Sequence, residues 1–557
     1  MITEHKFRLS TARISLQLCV LALLVGLLSS GFIVLFQLSV TGLQKLVWVE
    51  SDDFTQLPLW MRVALPLVGA AIIHQLIRHS KAAYRRMGIA YVIHRVKCHY
   101  GRIPLGSGVS QFLHAVVALA SGFSVGKEGP AVHIGATAAT MVAKKWSLPD
   151  NTMRILSSCG IAAGIAAIFN TPLAGVLFVL EVVLREYKIH YFLPIMIAAI
   201  TGAVTYRAVF GDTHLYEQLD LIRMPLEQYP TLLLFGLVLG AVAALFNHAL
   251  LATTRRSAGH PLWLRFGLAG LITALIGVLI PGALGGENAV VLLSHSNEIS
   301  IGLIFGLLIG KVILTIAAIG LGIPGGLIGP LYGIGALLGA LLVLILTPLL
   351  PQISEYQSLY AAIAMTAMMG VCLNAPLASL LALVELTNNA SVIVPFLLVA
   401  LPAFLLAHEG LGARAIFLRQ LDIMGLPHKV PPLEEALQKT GVLTLMSQDL
   451  VAVRPGLSEN EQLALLAEAK GHRLLSPDGT GQVLITLRGD FTQEEDRALE
   501  RTLLTGLPDT ATLDKVYRLL EPKRSGMVYI YHRSPDCPVG LISWPMLHRF
   551  FRGQESA

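Results

Sequence analysis

From residue 15 to about residue 414 the chain alternates apolar runs with short breaks of glycine and proline. Runs such as 14–40 and 230–251 are long enough to cross about 30 Å of hydrocarbon as helices. Others are short and broken by glycine or proline. These predict half-helices enclosed by protein, because backbone facing lipid must be hydrogen-bonded within its own helix. The first run follows Lys6, Arg8 and Arg13. It is longer than the apolar part of a signal peptide and lacks an A-x-A-like site, so it predicts a retained first span.

The pattern changes after about residue 425, where Pro-His-Lys-Val-Pro-Pro (427–432) reads as linker. The remaining residues have soluble composition and suffice for one small domain. There 442–446 and 451–453 read as short strands or turns, 459–470 as an amphipathic helix and 483–487 as a buried strand. Residues 494–504 read as a helix, 527–531 and 539–542 as strands, and 544–551 as a closing helix, an α/β order roughly twice over. The expected layout is a tail (1–14), a membrane domain (15–425), a linker (426–437) and a C-terminal domain (438–557).

The membrane domain contains an internal duplication. Gly129-Pro130-Ala131-Val132-His133-Ile134-Gly135-Ala136 returns as Gly329-Pro330-Leu331-Tyr332-Gly333-Ile334-Gly335-Ala336. Asn170-Thr171-Pro172-Leu173-Ala174, ending in Glu181, returns as Asn374-Ala375-Pro376-Leu377-Ala378, ending in Glu385. Two matched pairs at nearly one offset predict repeats of roughly 15–210 and 228–425, a plan common in transporters that bind between their repeats. The recurrence of Glu181 as Glu385 favours a structural role such as capping or pairing.

Composition sharpens this picture. Of 557 residues 54% are hydrophobic and 14% charged, against about a quarter charged in soluble proteins. The net charge is +6, and Arg78, Lys81, Arg85, Arg86, Arg95, Lys97 and Arg102 cluster after the second apolar block. Beside membrane spans this cluster reads as topology, placing that loop and the N-terminal tail in the cytoplasm, and not as a nucleic-acid site. The five cysteines are isolated, which argues against a disulfide framework or a zinc site. Lys311, flanking a span, reads as a snorkelling residue.

Three places predict a helix starting at membrane depth: Gly106-Ser107-Gly108-Val109, Gly126-Lys127-Glu128-Gly129-Pro130 and Gly325-Gly326-Leu327-Ile328-Gly329-Pro330. A helix start offers free N–H groups and a positive dipole end. Several such ends facing one point form an anion site without a fixed cation. Glycine admits the anion close to the backbone, and proline suits a first turn. Any one of these segments alone would read as an ordinary break between helices.

Together they resemble the CLC chloride channels and chloride/proton antiporters, whose motifs read GSGxP, G(K/R)EGP and GxFxP. The match runs through Gly106, Ser107 and Gly108, then Gly126, Glu128, Gly129 and Pro130, then Gly326 and Pro330. The resemblance implies an all-α, multi-pass inverted-repeat fold with half-helices meeting at the membrane midplane. It further implies a homodimer with one pathway per subunit, in the cell inner (plasma) membrane with both termini cytoplasmic. By the same resemblance the Ser107 hydroxyl and the N–H groups of Leu327 and Ile328 hold a chloride ion. Glu128 is then the gate, its carboxylate competing with the anion and leaving when protonated or displaced. Desolvation and a nearby anion both raise a glutamate's pKa, which links anion entry to protonation. The rival reading of Glu128 is an ion pair with Lys127.

The departures from the family pattern also inform. The first motif ends in Ser110 instead of proline, and Ile328 stands where phenylalanine is usual. The family's tyrosine near the last membrane helix falls at Phe417 or Ile416, and either loses the hydroxyl. Antiporters of the family commonly carry a Glu-Glu pair whose second acid takes protons from the cytoplasm, and here that position is Val182. This favours a channel or weakly coupled transporter over a fully coupled antiporter. The C-terminal domain resembles a tandem CBS pair: 483–486 followed by Asp490 is one residue too long, and 540–546 lacks the second aspartate. That implies a dimerisation and regulatory module, with no nucleotide or other cofactor expected.

Two other classes fit less well. An intramembrane hydrolase could use Ser107 with His99 or His133, but HExxH and GxSxG are absent. A cation-coupled carrier needs acids at both half-helix sites, and only Glu128 is available. The reading is therefore of a non-enzyme whose partners are chloride and the bilayer.

Overall fold

The computed structural model describes residues 9–551 except 11–14, 48, 50–51, 188, 212–223, 287–299, 429, 454–455, 469–472, 479–480 and 488–498. It has two contact units. One comprises Cys19–Val142 and Ile155–His428, and the other Met1–Leu18, Ala143–Arg154 and Lys429–Ala557.

The first unit is helical. In chain order its main helices are α1 (Leu16–Leu46), α2 (Leu59–His79), α3 (Gly88–Cys98), α4 (Leu105–Ala120), α5 (Glu128–Lys145), α6 (Asp150–Phe169) and α7 (Pro172–Phe178). There follow α8 (Ile189–Phe210), α9 (Tyr229–Ser257), α10 (Leu262–Leu279), α11 (Ile301–Leu321), α12 (Ile328–Leu346), α13 (Gln357–Leu373), α14 (Pro376–Thr387), α15 (Ile393–Leu405) and α16 (Ile416–Ile423). Among the described residues ten helices are long and apolar enough to cross a membrane, and the chain is a multi-pass membrane protein. The spans over α6, α12 and α13 are almost wholly buried, while those over α1, α2, α8 and α10 keep most of their surface outward. Helices apolar on every side belong inside protein or lipid, so the former are the core and the latter its lipid-facing wall.

The duplication is real in three dimensions, and its partners are exchanged between copies. Gly126 N–H donates to Gly326 O at 2.8 Å and Gly326 N–H to Gly126 O at 2.7 Å, a single antiparallel bridge just before α5 and α12. The Glu181 carboxylate accepts from Leu377 N (3.1 Å) and Ala378 N (2.8 Å), and Glu385 accepts from Leu173 N (2.9 Å) and Ala174 N (2.8 Å). Each copy's glutamate thus covers the helix start of the other. Asn170 and Asn374, just ahead of those starts, both adopt φ near +57° (56° and 58°), a conformation asparagine tolerates better than most residues. Reciprocal contacts of this kind are what a two-fold relation between inverted repeats produces.

Capping is therefore the role of Glu181 and Glu385, as the repeated spacing suggested. Glu385→Ala removes the acceptor of two helix-start N–H groups, one of them partly buried, at a cost of about 1 kcal/mol. It is expected to lower the melting temperature in detergent, and Glu181→Ala should do so by a similar amount. Unchanged melting in both variants would remove the capping role.

The second unit contains the C-terminal sheet, with strands β1 (Leu450–Ala452), β2 (Arg473–Asp478), β3 (Gly481–Leu487), β4 (Leu499–Pro508), β5 (Met527–Tyr531) and β6 (Pro538–Ser543) in that spatial order. β1 pairs parallel with β2 across helix α18 (Glu459–Glu468), and β2 pairs antiparallel with β3. The order repeats: β4 pairs parallel with β5 across α19 (Leu513–Leu520), β5 antiparallel with β6, and α20 (Trp544–Phe551) closes the unit. The short helix α17 (Pro432–Leu437) precedes the sheet. The expected doubling of an α/β order is thus present.

One expected element differs. Residues 494–504 read as a helix, but 499–508 form β4, paired from Leu487↔Leu499 to Gln482↔Leu504. Leu499, Glu500 and Arg501 are good helix formers, and the ladder to β3 overrides that local preference. The sequence pattern predicts no strand at β2, and Asp490 lies outside the described residues. The connection from α5 to α6 groups with this unit. Asp150 binds Lys515 Nζ at 2.7 Å, and its N–H donates to Thr510 O at 2.9 Å.

Candidate functional site: a carboxylate on a half-helix start

The bridge between Gly126 and Gly326 sets the first turns of α5 and α12 side by side. Glu128 opens α5 and is fully buried, at 0% exposure. Its side chain crosses to the other repeat: Oε1 accepts from the N–H of Ile328 and, at 3.4 Å, from that of Gly329. Those are first-turn amides of α12, whose intrahelical partners do not exist. A carboxylate there gains both their hydrogen bonds and the positive end of the α12 dipole. The side chain of Glu128 thus occupies the kind of position that suits a monovalent anion.

Glycine makes the approach possible. A Cβ on Gly326 would fall onto the Glu128 carboxylate and within 2.6 Å of Gly129 N, and one on Gly129 within 2.6 Å of Gly325 O. Pro130 and Pro330 stand early in their helices, where a missing N–H costs nothing. Leu327, the residue just before α12, is buried, as is Ile328.

Ser107 sits at the start of α4, against α5. The run 106–109 does begin a helix, since α4 starts at Leu105. That start, however, lies beside the middle of α5. Ile103 N–H donates to Thr140 Oγ1 at 3.0 Å, Gly108 packs on Thr137, and Gly106 packs on the Tyr84 ring. The Ser107 hydroxyl meets His133 Nε2 at 3.0 Å and donates to Arg86 O at 3.2 Å. His133 lies five residues beyond Glu128, about 7.5 Å along a helix axis. The structure therefore joins Glu128 with Ile328 and keeps the Ser107 hydroxyl engaged with His133.

The Ser107–His133 pair also bears on the hydrolase alternative. Both side chains are fully buried, His133 stacks on Tyr91 with ring centroids 5.7 Å apart, and His133 Nδ1 has no hydrogen-bond partner among the described residues. A nucleophile–base pair needs a third group to orient the base and an opening for substrate. Among the described residues no third group orients His133 through Nδ1.

Phe417 and Ile416 are both buried in the first turn of α16, which packs against α3, α9 and α13. Val182 is buried in a π-helical turn, Val179–Leu184, that continues α7. Its neighbour Glu181 is committed to the α14 start and to the Tyr187 hydroxyl at 2.7 Å. Among the described residues no cluster of metal-binding side chains occurs.

Lys311 departs most from expectation. Its helix begins ten residues earlier, at Ile301, so the ammonium cannot reach an interface. It is fully buried and donates to Gly285 O at 2.5 Å and Ala283 O at 3.4 Å.

Known proteins resemble this chain in sequence and in fold. Residues 69–408 match the family model described as voltage gated chloride channel. The H(+)/Cl(-) exchange transporter ClcA of Yersinia pestis bv. Antiqua (strain Angola) is 30% identical over 316 residues, 55% of this chain and 66% of that protein. The match thus spans just under two thirds of that relative's length. Among solved structures, a slow cyanobacterial Cl-/H+ antiporter superposes with a TM-score of 0.65 at 20% identity, over 73% of this chain and 98% of that one. A eukaryotic CLC transporter gives 0.61 at 18% identity, over 95% and 97%. These likenesses show a shared fold.

Proposed function

This chain belongs to the voltage-gated chloride channel family, and we propose that it carries chloride, or a similar monovalent anion, through a pathway gated by Glu128. The observation that carries this reading is the Glu128 carboxylate on the Ile328 and Gly329 N–H groups. A halide and a carboxylate are both monovalent acceptors and compete for those two donors. The ionised side chain closes the site. Protonation weakens its hold on the amides, as does displacement by an anion, and the position passes to the transported ion. In water-poor surroundings two amides and a helix dipole suffice to hold a halide.

Proton coupling is weak in this reading. Val182 cannot carry a proton, and Glu181 is already held by the α14 amides and Tyr187. With phenylalanine or isoleucine at the start of α16, no hydroxyl there restrains the anion, which favours slip. The alternative is full chloride/proton exchange, the activity in the name of the ClcA relative. The setting proposed is the cell inner membrane, with both termini cytoplasmic and two subunits each holding one pathway. The C-terminal unit, with its two successive β-α-β-β orders, serves as a CBS-like regulatory module.

Zero-current voltage under opposing chloride and pH gradients separates the two alternatives. Weak coupling predicts a value close to the chloride equilibrium potential. A stoichiometric shift with the pH gradient would make the protein an antiporter.

A further inference from the structure

A buried ammonium is held by carbonyls of a segment that packs on the approach to Glu128. Lys311 Nζ is bonded to Gly285 O and Ala283 O. The next residue, Gly286, lies against Val125, so that a Cβ there would come within 2.6 Å of Val125 O. One turn along α11 from Lys311, Thr315 Oγ1 donates to Lys311 O at 2.8 Å and meets Ser124 Oγ at 2.9 Å. Residues 124–126 are therefore held against α11 and the 283–286 segment. Gly126 in turn pairs with Gly326 and abuts the Glu128 carboxylate.

A charged residue enclosed at membrane depth is costly, and such residues usually act on an ion or proton path. We propose that Lys311 is a fixed positive charge of the anion pathway, positioned through the 283–286 and 124–126 segments to favour anionic occupancy of the site shared by Glu128 and the transported ion. This rests on the gating reading above. The anion class is small and monovalent, because the donor set is two amides with a nearby charge and has no fork for an oxyanion.

Other titratable groups share the surroundings. Asp52 accepts from Gly286 N at 3.0 Å and from Gln44 Nε2 at 2.9 Å. Lys127 immediately precedes α5, His133 lies on α5, His114 on α4 and Tyr332 on α12. Asp52 offsets part of the field of Lys311. The net effect still favours the anionic site, since Lys311 is fully buried whereas Asp52 is partly exposed and screened by solvent.

The sign follows directly. A cation near a carboxylate stabilises its charged form. Removing the charge should therefore let Glu128 protonate at higher pH and should weaken anion binding. The test is chloride efflux from proteoliposomes over a pH series, with chloride affinity measured by calorimetry on the same preparations. Lys311→Gln keeps a donor for Gly285 O but loses the charge. It is expected to move the pH midpoint up by about one unit and to weaken chloride binding several-fold. Lys311→Arg should keep the wild-type midpoint, and Lys311→Met serves if the glutamine variant does not fold. An unmoved midpoint with unchanged affinity in the neutral variants would overturn the proposal, as would an arginine variant shifted as far as they are. Glu128→Gln is run in parallel. If it retains the wild-type pH profile, the gating reading fails; if it loses the profile while Lys311→Gln does not shift it, only the role of Lys311 fails.

Discussion

Glu128→Gln is expected to give chloride movement that no longer responds to pH. In the wild-type protein the protonated fraction of a single carboxyl falls about tenfold per pH unit above its pKa, and opening should follow that fraction. Glutamine has the same outline but no charge, so it grips the Ile328 and Gly329 amides less strongly than a carboxylate does. It also cannot titrate. Efflux from proteoliposomes should therefore be high and flat across the pH range in which wild-type efflux changes, and Glu128→Ala should behave alike. Wild-type pH dependence in either variant would show that Glu128 is not the gate.

The second large effect concerns the glycine opposite. In Gly326→Ala the new methyl meets the Glu128 carboxylate and approaches Gly129 N to 2.6 Å. Backbone cannot yield as a flexible side chain can, so the first turns of α5 and α12 must separate. The mutual bonds between Gly126 and Gly326 then lengthen, and the amides no longer converge on one point. Anion flux is expected to fall more than tenfold, with a lowered melting temperature in detergent. Gly302→Ala is the control, because nothing lies within 4 Å of its Cβ position. Near-normal flux in Gly326→Ala would mean that the close approach of the two helix starts is not needed for transport.

Much of this architecture is legible in the sequence because both repeats keep the same punctuation. Glycine–proline at 129–130 and 329–330 marks two helix starts, and Asn170 and Asn374 stand ahead of two more. The equal spacing to Glu181 and Glu385 even foreshadows their reciprocal capping. Docking is what sequence withholds. The glycines around Ser107 correctly signal a helix start, but nothing local says that this start lies beside Thr137 and Thr140. Lys311 reads as flanking a span, yet α11 begins ten residues before it and continues ten beyond, to Leu321. In the C-terminal unit, 499–504 carries helix-forming residues, and only the pairing with β3 decides that it is a strand.

The central claim is that the Glu128 side chain and a transported anion compete for the first-turn amides of α12. The most direct measurement is anomalous diffraction from crystals of Glu128→Ala and of the wild-type protein, both grown in bromide. The account predicts a bromide peak within hydrogen-bond distance of Ile328 N and Gly329 N in Glu128→Ala. In the wild-type protein at high pH that place should be held by the carboxylate. No peak there in Glu128→Ala, or a bromide peak on those amides in the wild-type protein together with the bound carboxylate, would contradict it.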